Sequence, residues 1–272
     1  MVLIYVNKNQ ESTKASMVLK LKNAFERENI KYQVITESDF DKKINAEAIF
    51  VLGGDGTVLY VSHFACKNQI PIIGINAGKL GFLSEFESYE IEKAVNAFKD
   101  GQLNREEKIC LSICCEDKNF FALNDVFIQK AYSDDISSLV LDATVNVDGI
   151  DVCQIIGDGV VVSTPTGSTA YSLSAGGSVM SPGVNAFSIT PLAAHSLNLR
   201  PIICSSNSDI RVTVNGDLPA NVFADCARIG KLEKGQSFTV KKFNLPTIFL
   251  RKNNYNFFNR LVKKFTSNGE QK

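Results

Sequence analysis

Ala48-Ile-Phe-Val-Leu52-Gly53-Gly54-Asp55-Gly56-Thr57 is the stretch that decides the fold class. A short apolar run bounded by glycine predicts a strand buried on both faces. The glycines end that strand, and a helix is expected from Thr57, so the segment reads as strand, tight turn and helix. On its N-terminal side, Val2–Val6 predicts another buried strand, Val18, Leu21 and Phe25 mark one face of a helix, and Tyr32–Ile35 predicts a further strand. On its C-terminal side, Pro71-Ile-Ile-Gly-Ile75 predicts a strand. Ile91, Ala94, Val95 and Phe98 then follow Ser88 at helical spacing, and Asp100-Gly101 closes the segment. Strands alternating with helices predict an α/β domain over residues 1–101, built on a doubly wound, mainly parallel sheet.

The pattern changes after Gly101. Leu141, Ala143, Val145 and Val147 alternate with Asp142, Thr144, Asn146 and Asp148, and Asp148-Gly149 supplies a tight turn, which predicts an antiparallel hairpin. Further strand-like runs at Ile109–Cys115, Phe120–Gln129, Gly159–Ser163, Ile210–Val214 and Phe238–Phe243 are too many for the first sheet to absorb. Residues 102–245 are therefore expected to form a second, β-rich domain resembling a β-sandwich. From Lys241 to Lys264 there are seven basic and no acidic residues, ending in the apolar-basic stretch Phe257, Phe258, Leu261 and Val262. The segment 246–272 is expected to pack back on the first domain with a solvated basic face.

Composition narrows the chemistry. Twenty-nine basic residues balance twenty-nine acidic ones, so no overall field exists to hold a nucleic-acid backbone or an anionic membrane, and neither is expected as a partner. Any phosphate chemistry has to be local. The N-terminal apolar run turns polar at Asn7, too short for a signal peptide or a span, so a cytoplasmic location is expected. The seven cysteines include no Cys-x-x-Cys pair and are expected as reduced, mostly buried thiols. His63 and His195 are too few and too separated for a metal centre, and structural roles are expected for both.

The glycine turn is the first candidate site. Gly53, Gly54 and Gly56 let backbone N–H groups approach an oxyanion, and the helix start near Thr57 adds a favourable dipole, so the turn can cradle phosphate. Asp55 is the anomaly, because a carboxylate repels phosphate. Its presence points to handling a proton or a magnesium ion, with a plain helix cap as the bland alternative. Neither a Gly-x-x-x-x-Gly-Lys-Ser/Thr loop nor a Gly-x-Gly-x-x-Gly after a strand occurs, which disfavours a P-loop kinase and an ordinary dehydrogenase. The second candidate runs from Gly157-Asp158-Gly159 through an apolar strand into Ser163-Thr-Pro-Thr-Gly-Ser-Thr-Ala-Tyr171-Ser-Leu-Ser-Ala-Gly-Gly177. Ser168 or Thr169 is expected to cap a short helix there, with Tyr171 and Ser174 on one face able to pack and hydrogen-bond a heterocycle.

Four segments, in order, carry a resemblance: Gly53-Gly54-Asp55-Gly56-Thr57, Asn76-Ala-Gly-Lys-Leu-Gly-Phe-Leu83, Leu123-Asn124-Asp125, and Thr164-Pro-Thr-Gly-Ser-Thr-Ala-Tyr-Ser-Leu-Ser-Ala-Gly-Gly177. Together they resemble the NAD kinase family. The first motif is shared with diacylglycerol, sphingosine and 6-phosphofructokinases, whereas the long threonine-rich block is far more discriminating. The resemblance implies transfer of the γ-phosphate of ATP, or of another donor, to the 2′-hydroxyl of the adenosine ribose of NAD, giving NADP. It implies Asp55 as general base, and Gly53, Gly54, Gly56 and Thr57 as the phosphate loop, with Gly54 and Gly56 facing the triphosphate. Asp55, Gly56, Phe82, Asn124, Asp125, Asp158, Thr169, Ala170, Tyr171, Ser174 and Ala193 would bind NAD, making residues 102–245 the dinucleotide-binding domain. An active site between the domains is expected. Mg2+ or another divalent ion would arrive with the triphosphate rather than on protein ligands, and with no P-loop lysine the ion and backbone amides should carry the charge neutralisation. A homodimer or homotetramer is implied, with Ala193–Pro201 near a subunit contact.

A ribose hydroxyl is a far weaker acid than a carboxylic acid, so Asp55 can act only by accepting the proton as the new bond forms, and its placement outweighs its basicity. Asp55, Asp125 and Asp158 around one pocket would repel one another unless cations or sugar hydroxyls engage them, and Asp125 would suit a ribose diol. The chain also departs from the family pattern. Asp125 stands where Glu is common, Ile156 where Arg is common, and Asp225-Cys226-Ala227 where relatives often carry Asp-Gly-Gln. For Lys79, Tyr132 and Ser133-Asp134-Asp135 exposed loops are expected, and for His195 a packed or interface position. Two alternatives stand beside the main reading: a lipid or diacylglycerol-type kinase sharing the glycine loop, and a catalytically weak NAD-binding regulator.

Overall fold

The computed structural model describes residues 1–7, 11–76, 78, 81–131 and 140–267. Lys79, Tyr132, Ser133, Asp134 and Asp135 lie outside the described residues. The chain divides into two compact units, residues 1–107 together with the segment from Leu245 onward, and Lys108–Asn244.

In the first unit β1 (Val2–Val6), α1 (Glu11–Arg27), β2 (Tyr32–Ile35), β3 (Ile49–Leu52), α2 (Asp55–Asn68), β4 (Ile72–Asn76), β5 (Phe86–Glu87), α3 (Ile91–Lys99) and β6 (Leu103–Lys108) follow in order. β1 lies parallel to β2 and β3, and β4 lies parallel to β3 and β5. Every residue of β3 and β4 is buried, as their unbroken apolar runs require of strands covered on both faces. Leu21 and Phe25 of α1 pack into this core, where the Phe25 and Phe50 rings meet edge to face at 4.9 Å. Truncating Phe50 to alanine would cost about 3–5 kcal/mol at such a site. Gly74 of β4 has a positional purpose, because a Cβ there would lie 2.8 Å from the Ser84 Cα. Its absence lets residues 83–85 run alongside the strand, where the Glu85 N–H donates to the Gly74 carbonyl at 2.8 Å.

The second unit holds β7 (Leu111–Cys115), β8 (Lys118–Ala122), β9 (Asp125–Lys130), β10 (Leu141–Val147), β11 (Ile150–Gly157), β12 (Gly159–Ser163), the single turn α4 (Tyr171–Ser174), β13 (Ala186–Leu192), β14 (Ile202–Ser205), β15 (Ile210–Val214), β16 (Ala220–Ala224), β17 (Ala227–Leu232) and β18 (Ser237–Lys242). They form two six-stranded antiparallel sheets, in the orders β11-β10-β15-β18-β7-β8 and β14-β13-β12-β9-β16-β17. One apolar core joins them, with Ile113, Val145 and Val212 from the first and Val126, Val160 and Val222 from the second. The expected hairpin is present, with Asp148 and Gly149 at φ 51° and 87° between β10 and β11.

The chain then returns to the first unit as β19 (Thr247–Lys252) and α5 (Phe257–Ser267). β19 completes a seven-stranded sheet with path β2-β1-β3-β4-β19-β6, parallel to β4 through Phe249 and Ile72. The seven cysteines are free thiols. Cys66, Cys110 and Cys115 are buried, but Cys114 and Cys226 are exposed, so burial is less general than their chemistry suggested. No helix among the described residues is long and apolar enough to cross a membrane.

Candidate active site

In the first unit the glycine turn ends β3 and opens α2. Gly54 is the residue that precedes the helix, it makes no side-chain cap, and Asp55 is the first helical residue. Its carboxylate does not cap its own helix, which removes the bland reading of this position. One oxygen accepts the Phe82 N–H at 2.8 Å and the other accepts the Leu83 N–H at 3.0 Å. Each oxygen keeps lone-pair capacity for a proton or another donor.

The glycines around it are there for different reasons. A Cβ on Gly53 would lie 2.3 Å from the Thr57 hydroxyl oxygen, and one on Gly81 would lie 2.0 Å from an Asp55 carboxylate oxygen, so both are required by packing. Among the described residues, a Cβ on Gly54 or Gly56 would meet nothing within 4 Å beyond its own chain neighbours and helix backbone, so packing does not ask for glycine there. Those two positions leave bare backbone beside the first-turn N–H groups of α2, as close approach by a phosphate needs. The Phe82 ring lies 6.1 Å from that of Phe257.

Three basic residues near this turn were not legible in advance. Lys14 of α1 is buried and donates to the Leu52 carbonyl at 3.0 Å, one residue before the turn, and burial lowers its pKa. Arg251 of β19 is 2 % exposed and donates to the Leu83 carbonyl at 3.0 Å, the Phe82 carbonyl at 3.2 Å, Glu106 at 2.8 Å and Glu85 at 3.3 Å. Arg260 of α5 donates to the carbonyls of Gly81 and Ser84. Burial pushes the Glu85 carboxyl above its usual range, and Arg251 and Arg260 pull it back. A signal for Arg251 did exist, since Thr247-Ile-Phe-Leu-Arg-Lys252 places a guanidinium in an apolar strand.

In the second unit, strand register joins Leu123-Asn124-Asp125 to the threonine-rich block. Asp125 stands opposite Ser163 where β9 pairs with β12. The Thr164 hydroxyl donates to the Leu123 carbonyl at 2.7 Å, and a Cβ on Gly167 would lie 2.1 Å from the Asn124 carbonyl oxygen. The expected helix caps do not form, because the hydroxyls bond back into the turn. Ser168 donates to the Pro165 carbonyl and Thr169 to the Thr166 carbonyl, while Ala170, with no side-chain cap, precedes α4. The Ser172 hydroxyl meets that of Thr190 on β13, so part of the hydroxyl density is internal scaffolding. Tyr171 packs edge to face on Phe127, and Phe127 stacks on Phe223, each pair 4.8 Å apart. Thr169, Ala170 and Tyr171 are half-buried and Ser174 is exposed.

Asp225, for which sequence analysis named no role, holds this corner. Its carboxylate accepts the N–H groups of Leu123 at 2.7 Å, Asn124 at 2.8 Å and Asp125 at 3.3 Å. Asp225 and Cys226 form the two-residue turn between β16 and β17, at φ 44° and 71°. Glycine is at ease in that left-handed region and cysteine is not, so the Gly that the family resemblance implies at the second place would suit this turn better than Cys226. Asp125 is 3 % exposed, and burial followed by repulsion from Asp225 pushes its pKa up to about 7. Burial likewise raises Asp225, against the pull of its three N–H donors.

Asp158 and Ala193 stand elsewhere in this unit. The Asp158 N–H donates to the Leu192 carbonyl at 2.9 Å, and its carboxylate pairs with Lys130 at 2.7 Å. They sit at the end of β12 opposite from Ser163, roughly 17 Å away at the usual rise of a strand. The register thus brings Asn124, Asp125 and the 164–174 block together and leaves Asp158 and Ala193 apart from them. Ile156 and His195 share that far end, and His195 is exposed rather than packed.

Comparison with known proteins agrees across both units. The ATP-NAD kinase N-terminal domain matches residues 2–103, and the ATP-NAD kinase C-terminal domain matches residues 123–250. An NAD kinase of Bifidobacterium longum is 35% identical over 229 residues, covering 81% of this chain and 66% of that protein, so the chain spans just under two thirds of its length. An NAD kinase of Carboxydothermus hydrogenoformans is 32% identical over 238 residues, covering 85% and 84%. Among solved structures, yeast NADH kinase complexed with NADH has a TM-score of 0.85 at 22% identity, covering 100% of this chain and 89% of that one. An Archaeoglobus fulgidus NAD kinase in complex with ATP has 0.76 at 24%, covering 98% of each. At those identities the structural likeness shows the fold alone. Neither a lipid kinase nor a regulator is favoured by these matches, and the two family matches cover most of the chain: it belongs to the ATP-NAD kinase family.

Proposed function

We propose that this protein is an NAD kinase, transferring the γ-phosphate of ATP to the adenosine-ribose 2′-hydroxyl of NAD to give NADP and ADP. The observation that carries the reading is the Asp55 carboxylate, held by the Phe82 and Leu83 N–H groups at the start of α2 beside two glycines whose faces are open. In the step, the 2′-oxygen forms a bond to the γ-phosphorus as the bond from phosphorus to the β,γ-bridging oxygen breaks. ADP leaves with that electron pair, and the hydroxyl proton passes to Asp55. Gly53, Gly54, Gly56 and Thr57 form the phosphate loop, where backbone N–H groups meet the triphosphate and Thr57 packs over Gly53. A divalent ion, Mg2+ by preference, enters as part of the nucleotide substrate and offsets phosphate charge.

Asn124, Asp125, Thr169, Ala170, Tyr171 and Ser174 bind the dinucleotide, with Asp125 taking a ribose diol, and Phe82 borders the adenosine ribose. Asp158 and Ala193 bind the same ligand class from the far end of β12. The exposed apolar residues Ile156, Leu197 and Ile203 in the second unit support self-association as a homodimer or homotetramer. Seven free thiols fit a reducing, cytoplasmic setting. The test is Asp55→Asn. NADP formation from Mg·ATP is expected to vanish while calorimetry still detects NAD binding within about twofold of wild type, in line with the ~10²–10⁴-fold contribution of a general base. A variant that retains wild-type turnover would remove the mechanism.

A further inference from the structure

Arg251 is the largest fully buried side chain among the described residues, and it is a cation that directly follows the apolar run Ile248-Phe249-Leu250 in its strand. A guanidinium taken out of water is costly even when paired, and a hydrocarbon of similar volume would fill the same space without that penalty. What a hydrocarbon lacks is the rigid donor fork. Here the fork reaches past Glu85 and Glu106 to the backbone, with separate nitrogens donating to the Phe82 and Leu83 carbonyls. These are the two residues whose N–H groups hold the two oxygens of Asp55. Arg260 ties the flanking carbonyls of Gly81 and Ser84. Segment 81–84 is therefore gripped through its carbonyls by the end of the chain, and it grips Asp55 through its amides.

We propose that Arg251 is a positioning residue for Asp55: it holds the Phe82 carbonyl, which shares a peptide plane with the Leu83 N–H, and the Leu83 carbonyl after it, while Arg260 holds the Gly81 carbonyl, which shares a plane with the Phe82 N–H, so that both N–H groups aim the carboxylate. The proposal rests on the reading of Asp55 as general base. Arg251 touches neither nucleotide nor dinucleotide, and its effect falls on turnover. Reacting groups displaced by about 1 Å can lose on the order of a hundredfold in rate, so a loosened peptide pair is enough to matter.

The experiment uses the full-length protein with Mg·ATP and NAD, and Arg251→Lys. Lysine keeps a cation between Glu85 and Glu106 but cannot span both carbonyls. The expected result is a folded protein with NAD affinity within about twofold of wild type and kcat lowered about tenfold to a hundredfold. Hydrogen exchange of the Phe82 and Leu83 amides should speed up in Arg251→Lys, as it should also in Asp55→Ala. A folded Arg251→Lys protein with wild-type kcat, or with those two amides still protected, overturns the proposal. So does a loss of NAD affinity as large as the loss of kcat, because that is the mark of a general structural role. If Arg251→Lys does not fold, the more exposed Arg260→Lys must show the same kcat-only loss in smaller size, and unchanged turnover there overturns the idea equally. A wild-type protein that forms no NADP would sink the proposed function instead, while the amide-exchange comparison still decides the tether.

Discussion

Each of the two units fixes a short loop with a carboxylate distant in sequence, but the carboxylate and the loop exchange roles. In the first unit Asp55 is the group proposed to react, and residues 82 and 83 are its frame. In the second, residues 123–125 are the loop proposed to face the ligand, and Asp225 is the frame. The charge arrangement differs as well. Arg251 and Arg260 brace the far side of the Asp55 loop, whereas among the described residues no cation pulls down the raised pKa values of Asp125 and Asp225. The contrast teaches that one motif keeps a carboxylate aimed, and the other keeps a carboxylate buried at a cost.

Five changes would break or sharpen that comparison. The largest effect belongs to Asp55→Asn, already given. Next, Gly81→Ala puts a Cβ where only 2.0 Å separates it from an Asp55 oxygen, and kcat should fall about a hundredfold while the thermal midpoint moves little. Unchanged kcat would mean that the carboxylate can turn aside freely. Asp225→Ala leaves three backbone N–H groups without their acceptor, so denaturant titration should show a loss of about 2–3 kcal/mol, with weaker NAD binding by calorimetry.

Asp125→Asn tests the uncompensated charge through pH. With its folded-state pKa raised to about 7 and an unfolded value near 4, Asp125 favours folding fully below pH 4 and loses that contribution as pH rises through 7. The amide has no proton to lose. The variant should therefore gain about 1–3 kcal/mol over wild type at pH 8, and the gain should shrink toward pH 5. An equal difference at both values would show that Asp125 is not the group titrating. The smallest effect is Cys226→Gly, which relieves the left-handed turn beside Asp225 and should stabilise by up to about 1 kcal/mol in thermal unfolding.

Sequence reading reached the elements whose signal is local. The buried runs of β1, β3 and β4, a helix after the glycine turn and the Asp148-Gly149 hairpin announce themselves through apolar pattern and turn chemistry, although the helix starts at Asp55, two residues before the expected Thr57. It missed what depends on contacts across long separations. Arg251 reaches residues about 168 positions earlier, and Asp225 reaches back about 100, and no periodicity encodes either. The hydroxyl-rich block misled in a definite way: Ser168 and Thr169 read as candidates for capping a helix, yet each first serves a neighbour in the fold. Hydroxyls satisfy backbone and ligand with the same chemistry, so composition alone cannot divide them.

β19 enters the first sheet between β4 and β6, although it is made after the whole of the second unit. That sheet therefore cannot close until residues 108–244 have been synthesised, and until then part of the β4 edge lies open to wrong pairing. A chain interrupted before β19 would lose Arg251 and Arg260 together, and with them the donors that hold the carbonyls of residues 81–84.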